Sequence, residues 1–409
     1  MGKGPAIKFT TGIIVLLYLF AGVHASSQVN QTVSGFVTNV QTGAPIESAN
    51  VFIANTTMGD ATDHEGRYLI RNVPPGSYAI VVSAIGYEIG KKGLVVTQAS
   101  QEIIFNLAPK VIQMPEVVVI AADKKRRKKN IRKFLKFLLS TTRNASQTKI
   151  MNPQVLEFPR TSRGVLIAVA QEPLLIENMA LGYKITYILE NFVATSDYVK
   201  YSGTPLFEEL EPSSPEQLEK WKRNRRTAYE GSLRHFLRTI CQQYDQSSEN
   251  QKFKGKRVIA NFNSKGRKRT YTQGGILDDE GFSVLWIDDS RLMVNDPLNP
   301  NKIVEADVVN TNYFLGPGVH PTERTLKFPN YLEVTYMDEL EDSRYLRFIG
   351  KSRFVDAQTS WIKLEADSVF IDSEGRYFDQ FKINMFGYWS WERLADMLPY
   401  EYVLDRDNP

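Results

Sequence analysis

From residue 32 to residue 108, apolar and polar positions alternate in short runs, and each run ends on residues that turn a chain. The runs at 32–38, 49–53 and 78–84 read as strands. Between them lie Gly43-Ala44-Pro45, the hairpin tip Asp63-His64-Glu65-Gly66 and the turn Pro74-Pro75-Gly76. Glycine and proline supply the backbone angles that such turns need, and strands recurring about every 8 to 12 residues indicate a sandwich. A further apolar run at 116–120 predicts one more strand.

The period then changes. Ile131, Phe134, Leu135, Leu138 and Leu139 recur at helical spacing and form one apolar stripe, with Arg132, Lys133 and Lys136 opposite. Such a helix either docks its stripe on the next domain or lies on an anionic membrane surface through residues 124–139. Beyond residue 150 the chain reads as one α+β unit. Leu181, Tyr183, Ile185, Tyr187 and Leu189 alternate like a half-buried strand. Residues 214–244 read as a single long helix. Ser213 and Ser214 sit where a cap belongs, Pro215 suits the first turn, and Glu216 favours the positive end of the dipole. Trp221, Arg225, Tyr229, Ser232 and Phe236 share one face of it. Short β runs follow at 258–262, 282–287, 303–309, 331–337, 345–350 and 361–364, and residues 389–398 read as a short helix halted by Pro399. The hairpin sequence Asp63-His64-Glu65-Gly66-Arg67-Tyr68 recurs as Asp372-Ser373-Glu374-Gly375-Arg376-Tyr377, two turns with one solution rather than a duplicated domain.

The start of the chain supplies an address. Lys3 and Lys8 precede an apolar run of eleven residues at 13–23, and Val23-His24-Ala25 offers the small residues of a cleavage site. A membrane-spanning helix needs about 20 apolar residues, so the run reads as a secretory signal at 1–25 and the mature protein as periplasmic or outer-membrane associated. The one cysteine, Cys241, excludes an intrachain disulfide and, far from the cleavage site, lipid attachment there; it reads as a buried, inert thiol. The 42% hydrophobic and 23% charged content is ordinary for a globular protein, and 409 residues suffice for two or three domains. The net charge of +4 is unevenly placed: residues 123–136 hold nine basic residues and one acid, so the remainder is mildly acidic. Nucleic acid is not an expected partner, because no aromatic residues interleave with these charges.

The set Val33-Ser34-Gly35-Phe36-Val37, Gly43-Ala44-Pro45-Ile46, Ala49-Asn50-Val51-Phe52-Ile53, Glu65-Gly66-Arg67-Tyr68, Val73-Pro74-Pro75-Gly76-Ser77-Tyr78 and Ser83-Ala84-Ile85-Gly86-Tyr87 resembles the carboxypeptidase regulatory-like domain. That domain is a transthyretin-like sandwich attached to some metallocarboxypeptidases and to many exported Bacteroidetes proteins. The remainder resembles the second domain of Bacteroidetes envelope proteins that carry this module. The pieces are Asn152-Pro153 with Val155-Leu156, Leu181-Gly182-Tyr183, Tyr229 with Gly231-Ser232 and His235-Phe236-Leu237-Arg238, and Leu394-Ala395-Asp396 with Leu398-Pro399-Tyr400. In that phylum the module also precedes TonB-dependent outer-membrane receptors. This chain departs from them: it lacks room for a plug and a large barrel, and Asp405-Arg406-Asp407-Asn408-Pro409 ends without an aromatic residue. The resemblance implies a cell-envelope location and a binding or assembly role, and it transfers no catalytic residue.

The chemistry-bearing residues agree with that restraint. A peptidase zinc needs two histidines and a glutamate, whereas His64, His235 and His320 stand far apart and His320-Pro321-Thr322-Glu323 is interrupted by proline. Ser232 and His235 face one another at helical spacing, but a mid-helix nucleophile lacks an oxyanion hole; packing, with Tyr229, His235 and Arg238 bonded to the β layer, is the expectation. Gly274-Gly275 and Gly316-Pro317-Gly318 are isolated turns, not phosphate loops. Asp278-Asp279-Glu280-Gly281 and the acids at 338–342 lack the alternating spacing of a calcium loop. Trp286, Trp361, Trp389 and Trp391 could stack on sugars but read as core.

The sequence therefore predicts a mainly β protein with an α+β second part: a prealbumin/transthyretin-like β-sandwich at 29–109, a basic linker and amphipathic helix at 110–149, and a β-rich α+β domain with one long helix at 150–409. It assigns no catalytic residue, no cofactor and no metal ligand. The expected function is a non-catalytic exported envelope protein, an accessory of TonB-dependent outer-membrane systems, whose partner is another envelope protein or a glycan. The alternative is an envelope glycan hydrolase using paired carboxylates from distant strands. A small outer-membrane barrel is disfavoured, since its strands need about 9 to 11 residues with one uniformly apolar face.

Overall fold

The alternation at 32–108 becomes eight strands in two layers. In the computed structural model these are β1 (Gln31–Asn39), β2 (Asn50–Ile53), β3 (Gly59–Ala61), β4 (Arg67–Val73), β5 (Gly76–Ser83), β6 (Gly90–Val96), β7 (Gln101–Glu102) and β8 (Phe105–Leu107). One sheet runs β4-β1-β7 with β8 also on β1; the other runs β3-β2-β5-β6. Val33, Val37, Val51, Ile53, Ile70, Ile80, Val82 and Leu107 close the core between them. Residues 31–97, 99–110, 121–196, 198–246, 258–260, 281–287, 304–308, 311–350, 357–377 and 381–404 are described. The leader at 1–25, the strand expected at 116–120, Gly274-Gly275, Asp278-Asp279-Glu280, the side chain of Trp286 and the last five residues lie outside them.

The basic segment forms α1 (Ala121–Leu139). Its stripe docks on the domain that follows: Phe134 and Leu138 are fully buried, and Phe134 packs its ring against Phe192 at 4.7 Å and Phe158 at 6.1 Å. The receiving sheet contains β9 (Thr148–Ile150), β11 (Leu166–Ile167), β13 (Leu174–Asn178), β14 (Tyr183–Ala194) and β15 (Val199–Glu209); β10 (Leu156–Glu157) and β12 (Val169–Ala170) pair beside it. Order β11-β14-β13-β9 with β15 on β14 makes β14 the hub, as its long alternation required.

The long helix expected at 214–244 is two helices. Ser214 caps α2 (Pro215–Tyr229) by accepting from Gln217 N, and Pro215 occupies its first turn. The chain then breaks at Gly231, whose φ of +71° is left-handed and whose Cβ, if present, would lie 2.6 Å from Tyr336. Ser232 Oγ accepts from His235 N and starts α3 (Leu233–Gln246). Helical periodicity persisted across a corner, so the stripe masked the glycine. The two helices also serve different cores. Ala228 and Tyr229 join Phe134 and the β14 sheet, whereas Phe236, Leu237, Ile240 and Cys241 pack on a second sheet.

That second sheet runs β16-β18-β17-β21-β22-β24, with β16 (Val258–Ala260), β17 (Phe282–Ile287), β18 (Val304–Val308), β21 (Tyr331–Leu340), β22 (Ala357–Leu364) and β24 (Ile383–Gly387). After the short α4 (Thr311–Phe314), three strands β19 (Leu315–Pro317), β20 (Glu323–Leu326) and β23 (Val369–Asp372) form a small sheet beside it. The strand expected at 345–350 is instead the helix α5 (Ser343–Phe348). Asp342 accepts from Arg344 N at its cap and so stabilises the turn locally. The helix expected at 389–398 is one turn, α6 (Tyr388–Trp391), followed by a 3-10 turn (Leu394–Asp396). Leu394, Ala395 and Leu398 return to the first core, so the end of the chain crosses back over both cores.

Candidate functional site

The two hairpins with one sequence make the same local structure in opposite surroundings. In the first, Asp63 Oδ1 accepts from Glu65 N and Arg67 N, each at 2.9 Å, while Oδ2 accepts from Arg67 Nε at 3.0 Å. In the second, Asp372 Oδ1 accepts from Glu374 N and Arg376 N, each at 3.0 Å, and Oδ2 from Arg376 Nε at 2.5 Å. Gly66 and Gly375 take positive φ at matching positions. The Asp63–Arg67 pair stands in solvent, whereas Asp372 and Arg376 are 1% and 6% exposed. The difference lies in the surroundings: Tyr78 and Gly76 of the sandwich meet Arg376, while Arg234 of α3 and Tyr400 pack on the same hairpin.

Arg376 reaches up to the Pro74-Pro75-Gly76 turn and the start of β5. Its guanidinium lies 4.5 Å from the Tyr78 ring. Gly76 is required there twice over: its φ of +152° suits no side chain, and a Cβ would stand 2.6 Å from Arg376 Nη2. Burial works against the charge, but the neighbouring Asp372 carboxylate outweighs it and holds the Arg376 guanidinium firmly protonated. Beside it, Ser77 Oγ donates to Glu323 Oε1 at 2.6 Å, which accounts for the glutamate of the His320–Glu323 fragment as a seam residue. The loop after β2 completes the seam. Asn55 N donates to Pro205 O, Phe207 N to Thr56 O, and Tyr400 N to Asn55 O, all within 2.9 Å. Phe52, Ala54 and Val81 of the sandwich bury against Ile188 of β14. Arg234 on α3 ties the far side, donating to the carbonyls of Pro399, Tyr400, Tyr402 and Glu374.

A cavity of about 180 Å³ opens in this seam. A β-bulge in β14 decides its chemistry. Leu189 pairs Gly203 and Asn191 pairs Ser202, so Glu190 is the extra residue and is swung out of the ladder. Its carboxylate accepts from Lys91 Nζ at 2.8 Å, from Thr204 Oγ1 at 2.9 Å and from Ser202 Oγ at 3.4 Å. Tyr377, Phe381 and Tyr400 form the opposing wall. The cavity thus gathers a carboxylate, an ammonium, hydroxyls and aromatic rings. No site signal marks these residues in the sequence, because a bulge leaves no local signature.

The sequence-level candidates are placed as follows. Ser232 and His235 are adjacent, but the hydroxyl caps α3 and His235 Nδ1 accepts from Gly231 N at 3.2 Å within a ring cluster of Tyr229, Phe282 and Tyr336. Arg238 approaches Glu374 at 4.0 Å. His64 sits exposed at the first hairpin tip beside Glu65. Trp389 Nε1 donates to Gly231 O, Trp391 Nε1 to Thr141 Oγ1 and Trp361 Nε1 to Glu333 Oε2, so these rings are committed to the fold. Cys241 is buried, which pushes its thiol up to about 12. Among the described residues no three or more His, Cys, Asp or Glu side chains converge in a way that could hold a metal ion, and no helix is long and apolar enough to cross a membrane.

Asp396 lies elsewhere, under the 3-10 turn, where burial pushes its carboxyl up to about 7 against the hydrogen bonds from Thr142 and Asn144. Folded chains therefore bind a proton there that unfolded chains release, between roughly pH 4 and pH 7, and stability falls as pH rises through 7. Lowering pH from 8 to 5.5 is expected to raise the unfolding free energy by about 2 kcal/mol from this group. Denaturant titrations of wild type and Asp396→Asn at both pH values check it: the variant should gain about 2 kcal/mol less than wild type over the same change.

The fold and the seam define a two-part protein in which a regulatory-type β-sandwich is locked on an α+β body. In particular, residues 33–119 match the family model of the CarboxypepD_reg-like domain. The chain is 32% identical over 132 residues to the TonB-dependent receptor P39 of Formosa agariphila, covering 30% of this chain and 12% of that receptor. The aligned part thus spans a small fraction of that relative's length. Among solved structures, a 5-hydroxyisourate hydrolase of Klebsiella pneumoniae is 18% identical, covering 20% of this chain and 91% of that one, with a TM-score of 0.18. A cohesin–X-dockerin complex from Acetivibrio cellulolyticus is 28% identical, covering 19% and 53%, with a TM-score of 0.17.

Proposed function

We propose that this chain is a non-catalytic protein of the cell envelope that works by contact with a partner protein, as an accessory of TonB-dependent outer-membrane systems. The observation that carries the reading is the seam. Asp372, Arg376, Tyr78 and Glu323 fasten the CarboxypepD_reg-like module to the body, which suits a scaffold that presents a surface. Similarity to part of a TonB-dependent receptor supports the envelope setting. The groups that a hydrolase would recruit are engaged structurally: Ser232 as a cap, His235 as an acceptor, Glu323 across the seam.

Ile85, in the turn after β5, is fully exposed and offers a position for a photo-cross-linking residue in living cells. The expected result is a catch dominated by a TonB-dependent receptor. A dispersed catch overturns the accessory role. The glycan hydrolase reading draws on Glu339, whose carboxyl burial raises to about 7. Envelope glycan turnover by the wild type that Glu339→Gln abolishes at an intact fold would replace the non-catalytic reading with it.

A further inference from the structure

Helix α1 spends its apolar side on the fold and leaves its charged side unmatched. Phe134, Leu138 and Leu139 are buried, and Arg127 on the same side donates to the carbonyls of Leu156 at 2.7 Å, Gln154 at 3.0 Å and Pro153 at 3.4 Å. Opposite them Lys124, Lys125, Lys128, Lys129, Arg132, Lys133 and Lys136 are all exposed. At about 100° per residue these seven fall within one half of the helix circumference, along roughly 18 Å of its axis. None of them pairs with a carboxylate among the described residues. Seven like charges on one side repel each other, so the arrangement costs stability unless an anionic partner repays it.

We propose that this face docks the protein flat on an anionic phospholipid surface, through headgroup electrostatics and without insertion. The packed stripe excludes the wedge-like insertion of an ordinary interfacial helix, because Phe134, Leu138 and Leu139 already belong to the body's core. Six of the seven cations are lysines, compact point charges that suit a fluid layer of phosphates better than the fixed bidentate geometry arginine favours. No aromatic residue stands among them to stack a nucleobase, which favours lipid over nucleic acid. Each lysine or arginine near an anionic leaflet contributes roughly a five-fold gain in partitioning, and the effect fades within a Debye length. The contact orients the body on the membrane and is independent of which protein partner the sandwich meets.

The test is cosedimentation of the full chain with phosphatidylcholine vesicles, with and without phosphatidylglycerol, at low and high salt. The wild type is expected to pellet with the anionic vesicles alone and to be released by salt. The combined variant Lys128→Glu, Lys129→Glu, Arg132→Glu, Lys133→Glu should bind at least a hundred-fold more weakly, and the matching glutamine set should fall between. Unchanged circular dichroism of the glutamine set guards against misfolding. Lys220→Glu with Arg223→Glu, on the exposed side of α2, should leave binding within two-fold. Equal pelleting with neutral vesicles, or an equal loss from the α2 variant, overturns the proposal. So does binding to a duplex oligonucleotide in place of lipid.

Discussion

Replacing Asp372 by alanine is expected to destabilise the protein by about 3–5 kcal/mol, the cost of stranding a buried guanidinium. Asp372 is the carboxylate that pairs with Arg376 among the described residues, at 2.5 Å, and both side chains are almost wholly buried. Without the carboxylate the cation still faces the Tyr78 ring, but no anion balances it. Arg376→Ala removes the charge and the ring contact together and opens the seam under Gly76. A combined Asp372→Ala and Arg376→Met change restores part of the loss, since an apolar pair strands nothing. The exposed counterpart provides an internal control. Asp63 and Arg67 make the same bonds in solvent, so Arg67→Ala should leave the denaturant midpoint almost unmoved. Urea unfolding of all four proteins, followed by tryptophan fluorescence, decides the matter. Equal losses at the two hairpins would show that the sandwich contributes nothing to the second pair.

The second large effect is expected at Phe134. Truncation to alanine should cost about 3–5 kcal/mol, as for other fully buried phenylalanines whose sites cannot collapse. Its ring fills the space between α1 and the β14 sheet, touching Phe192 and Phe158. The end of α1 is also bolted at Arg393, whose guanidinium donates to Phe137 O, and at Ser140, which donates to Trp391 O. A cavity at Phe134 thus loosens the helix along its middle while its end stays tied. Limited trypsin digestion gives a direct readout, because α1 is rich in lysine and arginine that only a docked helix protects. Lys133→Ala, one residue away on the solvent side, should change neither stability nor cleavage at the other sites. Identical digestion of wild type and Phe134→Ala would mean that the stripe is not what holds the helix.

These two sites also show how far a one-dimensional reading reaches. The sandwich was legible because its information is local: alternation sets which side chains face inward, and Gly43, Gly66 and Gly76 mark where the chain must turn. The stripe of α1 was legible for the same reason, and the structure resolves its two open destinations in favour of the body. The errors arose where two local signals competed. At Gly231 helical periodicity ran on through a left-handed corner, so two helices read as one. At residues 343–348 an apolar run read as strand, although Asp342 capped a helix. Residues 389–398 read as one short helix, yet the chain bends after Trp391 to carry Leu394 and Leu398 into the first core.

The cavity in the seam was beyond reach for a different reason. Glu190 becomes available only because β14 and β15 pair out of register by one residue at that point, and Lys91 meets it only because β6 of the sandwich lies alongside. The first depends on the pairing of two neighbouring strands and the second on segments about a hundred residues apart. The hairpin hexapeptide makes the distinction plainest. By itself it determined, twice, the same turn, the same aspartate bonds and the same positive φ at glycine, since every one of those interactions closes within five residues. Which copy would stay in water and which would become the buried pin of the molecule was decided by the tertiary structure alone. Burial is a property of whatever surface arrives from elsewhere in the chain, and no six residues can specify it.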